Sequence, residues 1–194
     1  NNNNMIVIDD FIKDEPLLKA IDKDKSFFGP NGNFMWWDGW WNSHASTLKK
    51  QLIEYIWRHN SQLALGSLVG FEYWTGVYGD GHEQTGLGKH YDKDETHWAR
   101  TGGQNGGEIL KPVIGTVFYP KDVEFEGGYL EIYSKGEDNE PERIEAKYNR
   151  LVIFDAGSHL HRVTQITKGV RHAIAINLWQ TELLAVQEGT ITIE

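Results

Sequence analysis

Two residues with metal-binding side chains, His90 and Asp92, are separated by a single residue. Because successive side chains of a strand point to opposite faces, residues two apart share a face, and this imidazole and this carboxylate could reach the same cation. A second histidine would complete the two-histidine, one-carboxylate set that holds non-haem iron(II). His161 is a candidate and is followed ten residues later by Arg171, while His159 would share a strand face with His161. The pattern predicts a metal site assembled from both halves of the chain.

The composition limits the classes of protein to consider. The chain has 194 residues, no cysteine and a net charge of -9. A domain of this length buries roughly 70% of the surface that its unfolded chain exposes, so one domain needs no disulfide or structural zinc. The absence of cysteine fits a cytoplasmic protein, and no signal peptide or membrane-spanning run is expected. The negative charge argues against nucleic-acid or anionic membrane partners.

The elements that must position this site follow from local patterns. Residues 5–8 predict an edge strand, Asp14 begins a first helix, and Ser46 or Thr47 caps a second helix that runs to about His59. From Gly70 onward, short apolar runs alternate with turn residues. These runs predict eight strands, at 71–78, 89–92, 109–119, 129–133, 143–147, 151–154, 161–166 and 170–179.

This order of elements predicts a mainly β fold with N-terminal helices, in which a jelly roll carries the site. We expect a single domain, with helical support over 1–69, a catalytic core over 70–180 and a C-terminal strap over 181–194. Two segments have open roles. The tryptophan-rich segment 36–41 either covers the core or lines a binding cleft, and the glycine-rich segment 93–107 is either a lid over the site or a solvated loop.

Several motifs of the C-terminal two thirds resemble those of one family. The segment 126–130 reads E-G-G-Y-L, and the segment 149–154 reads N-R-L-V-I-F. Together with His90, Asp92, His161 and Arg171, in this order and spacing, they resemble the iron(II)- and 2-oxoglutarate-dependent dioxygenases of the prolyl 4-hydroxylase-like group. The resemblance implies a double-stranded β-helix, which agrees with the strand count. Its ten-residue spacing to the arginine favours His161 over His159.

The resemblance also implies roles for individual residues. His90, Asp92 and His161 would bind Fe(II), and Arg171 would bind the distal carboxylate of 2-oxoglutarate through its planar guanidinium, so that these four are the catalytic candidates. Tyr78, Tyr119 and Thr116 are further candidates for contact with 2-oxoglutarate, and which of them points inward is open. O2 is the other co-substrate, and ascorbate is an additional candidate cofactor.

The implied function is hydroxylation of a prolyl or other residue of a peptide or protein, with oxidative decarboxylation of 2-oxoglutarate to succinate and CO2. One alternative keeps the chemistry but takes a small molecule such as a free amino acid. Another is a non-catalytic jelly-roll binding module. The chain departs from the prolyl hydroxylase-like pattern at Asn177, where members of the group often carry tryptophan, and it lacks the second arginine that nucleic-acid demethylases carry there.

Overall fold

The computed structural model describes residues 5–58 and 67–193. The helices are α1 (Glu15–Lys23), α2 (Leu48–Trp57), α3 (Glu95–Arg100) and α4 (Leu184–Gln187). The strands are β1 (Met5–Ile8), β2 (Met35–Trp37), β3 (Gly70–Gly79), β4 (Leu87–His90), β5 (Ile114–Phe118), β6 (Phe125–Gly127), β7 (Leu130–Tyr133), β8 (Glu142–Ile144), β9 (Leu151–Phe154), β10 (Leu160–Val163) and β11 (Ile166–Trp179).

Two antiparallel sheets form the jelly roll. The larger has the order β1-β9-β5-β11-β3-β2, with β6 paired to one end of β11, and the smaller has the order β4-β10-β7-β8. All eight strands predicted from Gly70 onward are present, as is the edge strand β1, so the predicted fold class is confirmed. The sequence patterns missed β2 and β6, which are each three residues long.

The two N-terminal helices begin at the capping residues. The side chain of Asp14 accepts a hydrogen bond from the backbone N–H of Leu17, and Thr47 accepts one from Lys50. This satisfies N–H groups that the first turn leaves unpaired. Helix α2 ends at Trp57, and His59 lies outside the described residues. Lys50, in the first turn of α2, is buried although it is a charged residue. The apolar faces of both helices pack on the larger sheet and form the main core.

The tryptophan-rich segment 36–41 belongs mainly to that core. Trp36 and Trp37 are buried on β2, and Trp40 packs against both Trp37 and Phe71. Trp41 is 43% exposed. The interpretation that this segment covers the core is therefore confirmed. None of the helices in the described ranges combines the length and the apolar character that a membrane span requires.

The segment 93–107 is folded rather than extended. It contains α3 and is anchored by Asp94, whose carboxylate accepts one hydrogen bond from the N–H of His97 and another from Leu184 at the start of α4. The His97 ring lies 2.6 Å from Glu108. After α4, Thr192 forms an isolated bridge with Met35. The C-terminal segment therefore lies against both α3 and β2.

Candidate active site

The smaller sheet brings the candidate metal ligands together. Strands β4 and β10 pair so that His90 and His161 lie directly opposite each other. Asp92 follows the end of β4, and its backbone N–H donates to the carbonyl of Ala156 at 2.9 Å. This hydrogen bond fixes the chain after β4 and turns the Asp92 carboxylate towards the two imidazoles.

The three side chains have the geometry of a metal-binding group. Oδ1 of Asp92 lies 3.3 Å from Nε2 of His90 and 3.1 Å from Nε2 of His161, and the candidate ligand atoms all lie within 4.8 Å of one another. Nδ1 of each histidine faces a backbone carbonyl, that of Gly88 at 2.7 Å and that of His159 at 2.8 Å. A carbonyl only accepts, so each Nδ1 carries the proton and a neutral ring keeps its Nε2 lone pair for a cation.

The same contacts distinguish His161 from His159, the alternative ligand. His159 contributes its carbonyl to the orientation of His161, and its own imidazole is not part of any such group in the described ranges. Burial raises the pKa of Asp92, but hydrogen bonds and charge from the two imidazoles in their protonated form outweigh it and hold the net pKa below its usual value. Burial lowers the pKa of His90, and Asp92 reverses this so that the net pKa is raised. Asp92 is therefore a carboxylate at neutral pH.

A second layer of polar groups supports Asp92 from β3 and β11. Asn177 donates a hydrogen bond from Nδ2 to Oδ2 of Asp92 at 3.0 Å. Behind it, Oε1 of Glu72 accepts from Nε1 of Trp179 at 3.1 Å and lies 3.5 Å from Nδ2 of Asn177. Burial raises the pKa of Glu72 to about 8. Neither Glu72 nor Asn177 is among the site residues that the sequence motifs predict.

Signals for these two residues were present in the sequence. Glu72 is a charged residue inside the strongly apolar run that became β3, and Asn177 stands where a tryptophan was expected. Only the register of β3 on β11, which places Asn177 opposite Glu72, shows that they act together.

Arg171 is a buried cation on β11. Its Nε donates to the carbonyl of Gly128 at 2.9 Å, and its Nη2 donates to the Tyr119 hydroxyl at 3.2 Å. No carboxylate of the described residues forms an ion pair with it within 4.0 Å. Gly128 has a φ of 68°, and a Cβ there would meet Cδ of Arg171 at 2.9 Å. The second glycine of the E-G-G motif therefore makes room for the guanidinium.

A mainly apolar cavity joins Arg171 to the metal-binding group. Tyr78 and Thr116 are among its lining residues, together with His90, Asp92 and His161. Oγ1 of Thr116 is buried without a hydrogen-bond partner. The Tyr119 ring lies 5.1 Å, and the Tyr78 ring 6.0 Å, from the guanidinium carbon of Arg171. A buried cation and an unpaired hydroxyl on the walls of one cavity suit an anionic ligand with several oxygen atoms.

Comparisons with known proteins agree with this geometry. The sequence model described as the 2OG-Fe(II) oxygenase superfamily matches residues 73–179, which include all four catalytic candidates. No curated protein matches the chain.

Similar folds occur among solved prolyl hydroxylases. A prolyl-4-hydroxylase of Pseudomonas putida aligns with a TM-score of 0.59 at 14% identity, over 93% of this chain and 95% of that one. The viral collagen prolyl hydroxylase of Paramecium Bursaria Chlorella virus-1, in its 2OG complex, aligns with a TM-score of 0.55 at 14% identity, over 93% and 98%. A prolyl hydroxylase of Trichoplax adhaerens, in complex with a hypoxia inducible factor peptide fragment, aligns with a TM-score of 0.52 at 16% identity, over 93% and 85%. At these identities the likeness concerns the fold.

Proposed function

Because this chain belongs to the 2OG-Fe(II) oxygenase superfamily and is thus a 2-oxoglutarate-dependent dioxygenase, we propose that it hydroxylates a prolyl or other residue of a peptide or protein. The reaction would convert 2-oxoglutarate and O2 to succinate and CO2 as it places a hydroxyl group on the substrate. One observation carries the proposal. A buried arginine that has no counter-ion among the described residues lies across one cavity from two histidines and an aspartate whose ligand atoms converge.

His90, Asp92 and His161 would hold the iron. The fit rests on their chemistry, because two neutral imidazoles with free Nε2 lone pairs and one ionised carboxylate are the donor set of non-haem iron(II) sites. When bound, the iron with O2 and 2-oxoglutarate supplies the oxidising power for hydroxylation of a C–H bond. The carbonyls of Gly88 and His159 keep the rings in the ligating tautomer, and Asn177 keeps Asp92 oriented.

Arg171 would bind the distal carboxylate of 2-oxoglutarate. Two of its five N–H donors are used by Gly128 and Tyr119, and three remain for a ligand. Thr116 would donate its unpaired hydroxyl to the same ligand, and the Tyr78 and Tyr119 rings would shield the ion pair from water. An ion pair that is screened from water in this way is stronger than one on the surface.

A peptide or protein substrate is supported by the fold. The similar solved structures are prolyl hydroxylases, and one of them holds a peptide fragment. In the present chain a second cavity leads from His90 and Asp92 to the surface past Phe34 and Glu95, so a side chain could reach the metal-binding group from outside.

Substrate turnover tests the proposal. The protein, loaded with iron(II), is incubated with 2-oxoglutarate and O2 together with pools of peptides or, separately, of free amino acids, and the products are read by mass spectrometry. We expect succinate to form and one oxygen atom to be added to a peptide. Both should be lost in His90→Ala. Succinate formation that is equal in wild type and His90→Ala would overturn the ligand assignment, and oxygen addition to free amino acids alone would overturn the peptide substrate.

A further inference from the structure

The second cavity has an acidic side and an aromatic side. It shares Trp74, His90 and Asp92 with the cavity that leads to Arg171, and it adds Phe34 and Glu72 among its lining residues. The two cavities thus meet at the metal-binding group. Since Arg171 occupies the far end of the first, the second is the approach left for a substrate.

Glu72 is a buried carboxyl group in the wall of this cavity. It is 9% exposed, and the donors that reach it among the described residues are the neutral side-chain N–H groups of Trp179 and Asn177, both at Oε1. Within residues 5–58 and 67–193, no lysine, arginine or histidine nitrogen lies within 4.0 Å of it. Buried carboxylates in proteins are normally paired with a cation. An unpaired one in the wall of a cavity therefore indicates a cationic ligand.

The nearest lysine of the cavity wall does not supply that cation. Nζ of Lys93 lies 3.3 Å from the Glu95 carboxylate and 5.0 Å from the centre of the Trp98 ring, so it is already engaged on its own segment. Glu95 therefore has a counter-ion, whereas Glu72 has none among the described residues.

The aromatic side of the cavity suits a cation as well. The rings of Phe34 and Trp74 lie with their centroids 4.8 Å apart, and both line the cavity beside Glu72. Aromatic faces attract ammonium and guanidinium groups, most strongly when water is excluded. A carboxyl group beside two such rings combines charge pairing with a cation–π contact.

From this arrangement we propose that the enzyme selects a substrate with a positively charged group, an alkylammonium or a guanidinium, and that Glu72 binds this group against Phe34 and Trp74. The inference rests on the proposed function and narrows its substrate from a prolyl or other residue to a basic one. Burial raises the pKa of Glu72 to about 8. Binding of the cation would therefore displace the proton of this carboxyl group and would tighten as the pH rises through that value.

A matched pair of probes tests this proposal on the full-length chain. The protein is loaded with Mn(II) in place of iron(II), so that no reaction with O2 takes place during the measurement. Binding of 2-oxoglutarate to this protein is then measured by calorimetry. Nα-acetyl-lysine methylamide is then compared with Nα-acetyl-norleucine methylamide, which has a similar shape and no charge. We expect the lysine probe to bind about 10-fold more tightly or better, as one hydrogen bond to a charged group would give.

Two variants assign the selectivity to one carboxyl group. Glu72→Gln keeps an acceptor for Trp179 and removes the charge, so the preference for the lysine probe should fall below about 3-fold. Glu95→Gln also removes a negative charge, but that charge is already paired with Lys93. The preference for the lysine probe should therefore persist in this variant. Equal binding of the two probes to wild type, or equal losses in the two variants, would overturn the inference. Absence of Mn(II) and 2-oxoglutarate binding in the first step would instead overturn the proposed function.

Discussion

Replacement of Arg171 by lysine should weaken 2-oxoglutarate binding without loss of the fold. Lysine keeps a positive charge at this buried position but lacks the planar fork that pairs with both oxygens of a carboxylate. In the structure, Gly128 and Tyr119 use two of the five arginine donors. The remaining three can form the bidentate pair, whereas an ammonium offers one well-directed hydrogen bond to the same carboxylate.

The expected size follows from that loss of one hydrogen bond. A hydrogen bond to a charged group contributes about 1.5–3 kcal/mol, so Arg171→Lys should raise the 2-oxoglutarate Kd by roughly 10- to 150-fold. Arg171→Gln also removes the charge and should raise it by at least about 100-fold. Metal affinity should stay near wild type, since Arg171 is not one of the three converging ligands.

Calorimetric titration of the Mn(II)-loaded variants with 2-oxoglutarate measures this effect. Arg143→Lys is the matched control, because the Arg143 side chain is 57% exposed and pairs with Glu131 on the smaller sheet. Wild-type affinity in Arg171→Lys and Arg171→Gln, or an equal loss in Arg143→Lys, would refute the assignment of Arg171 to the carboxylate.

Three further predictions concern the groups around the site. Asn177→Ala should lower the Mn(II) affinity by roughly 10- to 100-fold, because it removes a hydrogen bond to a metal-binding carboxylate. An unchanged affinity would show that Asp92 does not need this hydrogen bond. Thr116→Val should raise the 2-oxoglutarate Kd by about 2- to 10-fold without lowering the melting temperature, because its buried hydroxyl has no partner among the described residues. Glu72 has a raised pKa of about 8, against 4.5 in its unperturbed state, so the folded protein binds a proton more tightly and loses stability as pH rises between these values. The gain in unfolding free energy of Glu72→Gln over wild type should therefore be a few kcal/mol larger at pH 8 than at about pH 5, at ~1.4 kcal/mol per pH unit. Urea unfolding of both proteins at both pH values measures this gain, and a gain that is independent of pH would contradict the prediction.

The strands could be predicted because their signals are local, since apolar runs between turn residues mark strands wherever they occur. The meeting of His90, Asp92, His161 and Arg171 was implied by the resemblance of the motifs to one family, whose jelly roll brings these positions together. The roles of these four residues stay proposals. Strands β2 and β6 could not be predicted, since three residues give too short a pattern and their pairing with β3 and β11 is a long-range contact.

The support of the site depends on register between distant strands and lies beyond local patterns. Glu72 and Asn177 are 105 residues apart and meet because β3 and β11 pair in one particular register. A polar residue in an apolar strand could equally have faced solvent at an edge. The burial of Lys50 has the same origin, because the side of α2 that faces the protein is set by packing on the larger sheet rather than by the helix alone.

Anaerobic titration with iron(II) and then 2-oxoglutarate tests the central claim most directly, with visible absorption as the readout. We expect the weak charge-transfer band of 2-oxoglutarate bound to iron(II) to appear in wild type and in His159→Ala, which keeps the backbone carbonyl that orients His161. The band should be absent in Asp92→Ala. If folded wild-type protein shows no band, or if Asp92→Ala shows one as strong as wild type, the three residues do not form the iron site.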